Sequence, residues 1–476
     1  MVQQFDTHNI RATAARRRTA QLSGGHSSSF SPEWYFSFAV YNPLEAQVQV
    51  NHKNRCGMSP NPTSLTRYQF RLLAVLALIN FVNFAARQIF IPLIPMLRTL
   101  LGVSDSQLGS LQTLLLVVLA LGSIPFGFLA DRFSRKAIIA VGILFWSVAT
   151  FAGGLAANFT LLLLARSFVG LGEAAYAPAA QSMISGSFPQ ERRASAQAIF
   201  ASGMLLGGAF GQVLGGIVAP RYGWQMALFL VAIAGIIPAL ALFGLEEPPR
   251  GPRSEVVPIA KILSVPAFLS MIGGGMCITF ASVSLLTWGV DFAVNYKDFS
   301  LREASVTLSI IGLASAILGV LFGGFVADRL QKKFSYGRLI AIGMALLLAT
   351  PFLLLAIQSE EKQTVLAGLF AAGFFMSWYH GPVTAVIHDM MPRRAHSTSI
   401  GVYMFATQLV GGLGPHIIGR ISDQRDLQVA LQIAAAVLVC GALLMLLVIH
   451  FIRRDGLRHP AVEAFHAEPP ETSEQI

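Results

Sequence analysis

Charge is what this 476-residue chain lacks most. Only 12% of its residues are Asp, Glu, Lys or Arg, about half the share of a soluble domain. So few ions cannot cover a water-facing surface, and the mean hydropathy of +0.61 agrees. Water is therefore not the main solvent. Cysteine is scarce as well. Cys56 lies in a polar stretch and Cys277 and Cys440 in apolar ones, so neither a metal site nor a disulfide framework is implied. A Gly-x-Ser-x-Gly elbow, a His-Glu-x-x-His pair and a Walker phosphate loop are all absent. Those absences count against a hydrolase, a zinc protease and direct use of ATP. No cofactor is expected, and the chain does not read as an enzyme.

What is present is apolar. Hydrophobic residues make up 54% of the chain, with 43 Gly and 34 Phe, a composition suited to close helix packing in lipid. From Arg71 onward the spacing predicts twelve membrane-spanning helices, at 70–96, 107–130, 136–157, 160–186, 194–219, 224–246, 265–293, 302–328, 336–357, 363–391, 397–420 and 428–452. Residues 1–64 read as a disordered tail, with Met58 as an alternative start, and 456–476 as a second tail. The Pro-rich charged stretch at 248–263 divides two six-helix bundles, 65–247 and 264–455.

The net charge of +10 invites a nucleic-acid partner, but position argues otherwise. Lys and Arg gather in alternate short loops: Arg132/Arg135/Lys136, Arg192/Arg193, Arg250/Arg253/Lys261, Arg329/Lys332/Lys333 and Arg393/Arg394. That asymmetry puts both termini in the cytoplasm, in the inner membrane if the cell is bacterial.

One motif occurs twice, at equivalent places in the two halves. The first copy is Gly127-Phe-Leu-Ala-Asp131-Arg132-Phe-Ser134-Arg135-Lys136, and the second Gly324-Phe-Val-Ala-Asp328-Arg329-Leu-Gln-Lys332-Lys333. Each is read as a tight basic turn whose acid receives a cation or a helix N-terminus and locks two helices together. Duplicated halves fit alternating access around a central site. Asp131, Arg132, Arg135, Asp328 and Arg329 are thus expected to form a cytoplasmic gate.

Ionisable residues at membrane depth default to functional candidates. In the fourth segment Arg166, Gly170 and Glu173 fall at i, i+4 and i+7, one stripe along a helix. Gly170 is expected to leave room for Arg166 to fold onto Glu173, either as a working pair or as a structural one. In the first segment Asn80, Asn83 and Arg87 form a second stripe, the Asn residues serving helix packing or substrate contact. In the tenth, His380 lies in Trp378-Tyr379-His380-Gly381-Pro382 and is either a titrating group or a structural one packed among aromatics.

The doubled motif resembles the major facilitator signature Gly-x-x-x-Asp-Arg-x-Gly-Arg-Arg/Lys, with Ser134 where the family has Gly. The run Arg166-Ser-Phe-Val-Gly170-Leu-Gly172-Glu173-Ala174-Ala-Tyr176 looks like the spinster branch. Residues 247–251, Leu409–Pro415 and Gly419–Asp423 agree with it. The resemblance implies an all-α major facilitator fold and a lipid- or lysolipid-moving transporter, in some members proton-coupled. It also implies an Asp-Arg pair in the first helix, where this chain has Ala86-Arg87. Glu173 is then the remaining proton-coupling candidate.

The expected function is secondary transport of an anionic, amphipathic substrate, contacted by Asn83, Arg87, Arg166, Glu173, Tyr176 and His380. Small organic anions or drug-like compounds form the alternative. A membrane enzyme or receptor explains neither the duplication nor the short tails. Protons and bilayer lipid are the expected partners, nucleic acid is not, and a monomer is assumed.

Overall fold

The computed structural model describes residues 66–248 and 258–455. Both expected tails, Met58, Cys56 and most of the linker lie outside the described residues, as does the side chain of Asp131. Every described element is helical: α1 Arg67–Gln88, α2 Ile94–Leu101, α3 Asp105–Arg132, α4 Arg135–Gly154, α5 Phe159–Ser187, α6 Gln190–Tyr222, α7 Trp224–Ala234 and α8 Ile236–Phe243 in the first half. A short α9 Ile259–Leu263 leads into the second half, with α10 Pro266–Tyr296, α11 Leu301–Lys333, α12 Gly337–Gln358, α13 Lys362–Met376, α14 His380–Met390, α15 His396–Gly411, α16 Gly414–Gln424 and α17 Leu427–Asp455.

Polar residues at the ends set where these helices start. Thr66, Ser104 and Ser300 each accept a hydrogen bond from the backbone three residues on, and Gln69, Gln107 and Glu303 bond back to the cap. Each such box satisfies two otherwise orphaned N–H groups.

Among the described residues ten segments are long and apolar enough to cross a membrane. The expected tenth and eleventh spans are composite, α13 with α14 and α15 with α16. Proline explains the breaks, because its ring lacks an N–H and clashes with the carbonyl four residues back. Pro382 lies four residues after Trp378, in the 3₁₀ turn Ser377–Tyr379, and Pro415 four after Gly411, the last residue of α15. Pro92 and Pro238 likewise lie four after Gln88 and Ala234, the ends of α1 and α7. Pro125, Pro178, Pro220 and Pro351 are accommodated within continuous helices.

Within the first half α1 packs on α6, and α5 on both α3 and α4. Within the second, α10 and α12 pack on α17, and α13 on α12. The halves meet where α3 lies against α16 and α6 against α11. The second copy of the repeated motif departs from expectation. All of Gly324–Lys333 lies inside α11, so its cations occupy the last helical turn and the chain reverses only at 334–336.

Candidate functional site

A buried polar cluster runs through the first half. Asn80, Asn83 and Arg87 come from α1, Gln112 from α3, and Arg166, Glu173 and Tyr176 from α5; each is at most 9% exposed. Arg87 donates to Glu173, its Nε lying 3.0 Å from Oε2 and its Nη2 bonding to the same oxygen. The Tyr176 hydroxyl donates to Asn80 Oδ1 at 2.7 Å, and Asn80 Nδ2 donates to the Phe200 carbonyl at 2.8 Å, tying α5, α1 and α6 together. Arg166 Nη2 donates to Gln112 Oε1 at 3.1 Å. The guanidinium groups of Arg87 and Arg166 stack 4.6 Å from the ring centroids of Phe84 and Phe90.

The expected pair is therefore replaced by another. Glu173 is held by Arg87, not by Arg166, and among the described residues Arg166 has no carboxylate within ion-pair distance. The reason lies at Gly170. A Cβ there would sit 2.4 Å from the Leu115 carbonyl oxygen, so Gly170 admits the α3 backbone instead of opening space for the arginine. Within the cluster three polar atoms are buried without a hydrogen-bond partner: Asn83 Nδ2, Arg166 Nε and Glu173 Oε1. Such groups are rare and call for a cause. Two cations and one carboxylate leave the cluster with a formal charge of +1 in a low-dielectric interior.

His380 is not joined to this cluster. It opens α14, is exposed, and its ring lies 4.2 Å from that of Tyr379. Tyr379 is thus its aromatic neighbour, while the adjacent Trp378 contacts Phe322, Phe374 and Phe375.

The repeated motif divides into two unlike contacts, each within its own half. Arg135 is 3% exposed. Its Nε donates to Glu247 Oε1 at 3.1 Å, its Nη1 to Ser182 Oγ at 3.1 Å and its Nη2 to the Pro248 carbonyl, while Ser134 Oγ donates to Glu247 at 2.5 Å. Burial opposes ionisation of Glu247, but the bonds from Ser134 and Arg135 outweigh it and hold the carboxyl below its ordinary range. In the second copy Asp328 pairs with Arg338 at 3.3 Å; Arg338 also binds Asp389 at 2.6 Å, and both carboxylates are exposed. Arg329 lies 5.4 Å from the Phe325 ring centroid, and Arg132 is exposed at the end of α3.

At the opposite face a denser network joins the halves. Arg98 of α2 donates to both oxygens of Asp291 at 2.8 and 2.7 Å, and to Asp105 at 2.8 Å. Asp423, at the end of α16, accepts from the backbone N–H groups of Asp105 and Ser106 at 2.7 and 2.9 Å, capping the N-terminus of α3. Ser422 donates to Asp105 at 2.6 Å, and the His416 N–H donates to Thr113 at 3.2 Å. Burial opposes the charge on Asp423, yet hydrogen bonds from Ser106 and the Asp105 N–H prevail and hold its carboxyl below the ordinary range. Sequence reasoning missed this latch. Its signal was Asp291, a fully buried acid inside the seventh apolar segment.

A sequence profile of the Major Facilitator Superfamily matches residues 76–415 and 314–473. The chain is 27% identical over 453 residues to human protein spinster homolog 1, covering 84% of this chain and 83% of that protein. It is 26% identical over 427 residues to an MFS-type efflux pump of Mycolicibacterium smegmatis, covering 86% and 98%. Its fold matches the crystal structure of a bacterial homolog of the human lysosomal transporter spinster, inward-facing and occupied. That match has a TM-score of 0.75 and 24% identity, and covers 82% of this chain and 99% of the other. The nucleoside transporter NupG superposes with a TM-score of 0.66 at 14% identity, covering 79% and 99%. The chain belongs to the Major Facilitator Superfamily and, within it, is a transporter of spinster type.

Proposed function

We propose that this transporter moves an anionic, amphipathic substrate of the lysolipid kind by alternating access between its two halves. The observation that carries the reading is Arg166. It is 3% exposed, its Nε is unpartnered, and the one buried carboxylate of the cluster is taken by Arg87. A buried cation without a counter-ion is strongly disfavoured, and an anionic head group would relieve that cost. Asn83 Nδ2 adds a second unpartnered donor of the kind such a group accepts. Glu173 keeps one oxygen free of partners and is the proton-coupling candidate.

In this reading the face bearing the basic motifs is cytoplasmic, both termini lie on that side, and in a bacterial cell the protein sits in the inner membrane. Asp131, Arg132, Arg135, Asp328 and Arg329 help close that face when the opposite latch opens. His380 contributes from the second half. Transport of small organic or drug-like compounds is the second reading, favoured by the similarity to an efflux pump.

The test is binding of lysophospholipids with one acyl chain and anionic, zwitterionic or neutral head groups, followed by uptake into proteoliposomes with and without a pH gradient. The anionic ligand is expected to bind most tightly. Equal affinity across the three sinks the anionic reading.

A further inference from the structure

The fourth and tenth passes hold equivalent places in the two halves and have the same length, Phe159–Ser187 and Lys362–Met390. Position by position, Gly170 corresponds to Gly373 and Tyr176 to Tyr379, whereas Arg166 and Glu173 correspond to Leu369 and Met376. The correspondence holds in space. A Cβ on Gly170 would meet Leu115 of α3, and one on Gly373 would meet Ser315 of α11, the helices on which the two motif copies begin. The step from Tyr176 to Phe200, whose rings lie 6.1 Å apart, recurs from Tyr379 to Tyr403. The second half therefore repeats the frame of the buried cluster without its charges.

What that frame holds is polar but neutral. In the first half the Tyr176 hydroxyl is bonded to Asn80. In the second, the hydroxyls of Tyr379 and Tyr403 and the ring nitrogens of His380 have no hydrogen-bond partner among the described residues. Tyr403 is 4% exposed, and its hydroxyl rests against α10, where a Cβ on Gly275 would lie 2.4 Å from it. Tyr379 is close enough to Tyr403 for the two to interact electrostatically, and His380 lies against the Tyr379 ring. Buried tyrosine hydroxyls ordinarily find a partner, because an unmet polar group carries a desolvation cost. Tyr379 is half-buried and His380 exposed, so the group is open on one side. Tyr379 also lies as deep in its pass as Tyr176 does in its own.

We propose that Tyr379, His380 and Tyr403 form a hydrogen-bonding subsite for a neutral hydroxyl of the substrate. The two halves then divide the head group between them, its charge to Arg166 and its hydroxyl to the tyrosines. In a lysophospholipid that hydroxyl is the one on glycerol left free by the missing acyl chain. A two-chain lipid carries an ester there, which accepts a hydrogen bond but donates none, so the subsite favours the one-chain lipid. The inference rests on the reading of the substrate as an anionic lysolipid.

The full-length protein in detergent is titrated calorimetrically with two ligands of equal charge and chain. One is oleoyl lysophosphatidic acid, the other the same compound with hydrogen in place of the glycerol hydroxyl. The wild type is expected to bind the hydroxylated ligand about tenfold more tightly, as for one buried hydrogen bond. Tyr379→Phe combined with Tyr403→Phe keeps both rings and removes only hydroxyls that the fold does not use. This variant is expected to melt at the wild-type temperature and to bind both ligands alike, at the wild type's affinity for the deoxy ligand. Equal wild-type affinity for the two ligands overturns the subsite and leaves the anionic reading standing, because charge is constant between them. A preference that survives in the double variant overturns it as well, and failure of the wild type to bind either ligand sinks both readings. Equal affinity across head-group charges, by contrast, sinks the anionic reading alone.

Discussion

Glu173 of α5 is neutralised by Arg87 of α1, 86 residues earlier in the chain, and not by Arg166, two turns away on its own helix. The cluster is thus a bridge between two helices with one arginine left over. Removing the acid leaves two uncompensated cations.

Glu173→Gln is accordingly expected to destabilise the protein by about 3–5 kcal/mol, the usual cost of breaking a buried pair from one side. Arg87→Met combined with Glu173→Gln should recover much of that loss. Thermal unfolding in detergent measures both, and a double variant no more stable than Glu173→Gln alone would contradict the pairing. If protons drive transport, proton uptake should vanish in Glu173→Gln.

Ala86 is 1% exposed and directly precedes Arg87. Placing an acid there with Ala86→Asp brings the cluster from a formal +1 to 0. Binding of an anionic lysolipid is then expected to weaken, by about tenfold if one head-group contact of about 1.4 kcal/mol is lost, while a zwitterionic analogue changes little. Titration calorimetry on matched ligands decides it, and tighter anion binding in the variant would falsify the charge argument.

Asp423→Asn is expected to loosen the latch opposite the basic motifs, since an amide gives up the charged acceptor at the N-terminus of α3. The effect is about 1 kcal/mol, a roughly fivefold shift in population. Spin labels at exposed positions 100 and 424 would report it as a longer distance population. Acid should act the same way on the wild type. The latched carboxyl has the lower pKa, so its contribution is present above the ordinary carboxylate range and is lost from about pH 4 downward. A distance unchanged by both treatments removes Asp423 from the latch.

The two motif copies should differ in stability. Glu247→Gln leaves Arg135 buried without its carboxylate and is expected to cost about 2 kcal/mol. Asp328→Asn breaks an exposed contact and should be nearly silent. Melting temperatures of the two variants give the comparison; equal losses would mean the copies are equivalent after all.

Much of this architecture was legible along the chain. Apolar length marks the twelve passes, Ser and Thr caps mark helix starts, and a proline four residues on marks each of the four breaks. Pro382 and Pro415 explain why the tenth and eleventh passes are composite, although sequence alone does not separate them from Pro178 and Pro351, which continuous helices absorb. The doubled motif showed two related halves. These signals are local, set by periodicity and by the hydrogen bond four residues back.

Pairing is another matter. Helical spacing placed Arg166 and Glu173 on one stripe, but only packing fixed their partners, because the close approach of α3 at Gly170 and the position of α1 decide which guanidinium reaches the carboxylate. The same holds for Arg135 with Glu247, 112 residues apart, and for Arg98 with Asp291, 193 apart. The sequence determined which residues carry charge into the bilayer and at what depth. The tertiary structure alone decided which charges cancel, since a Coulomb contact depends on distance in space and helical periodicity reaches only a few turns.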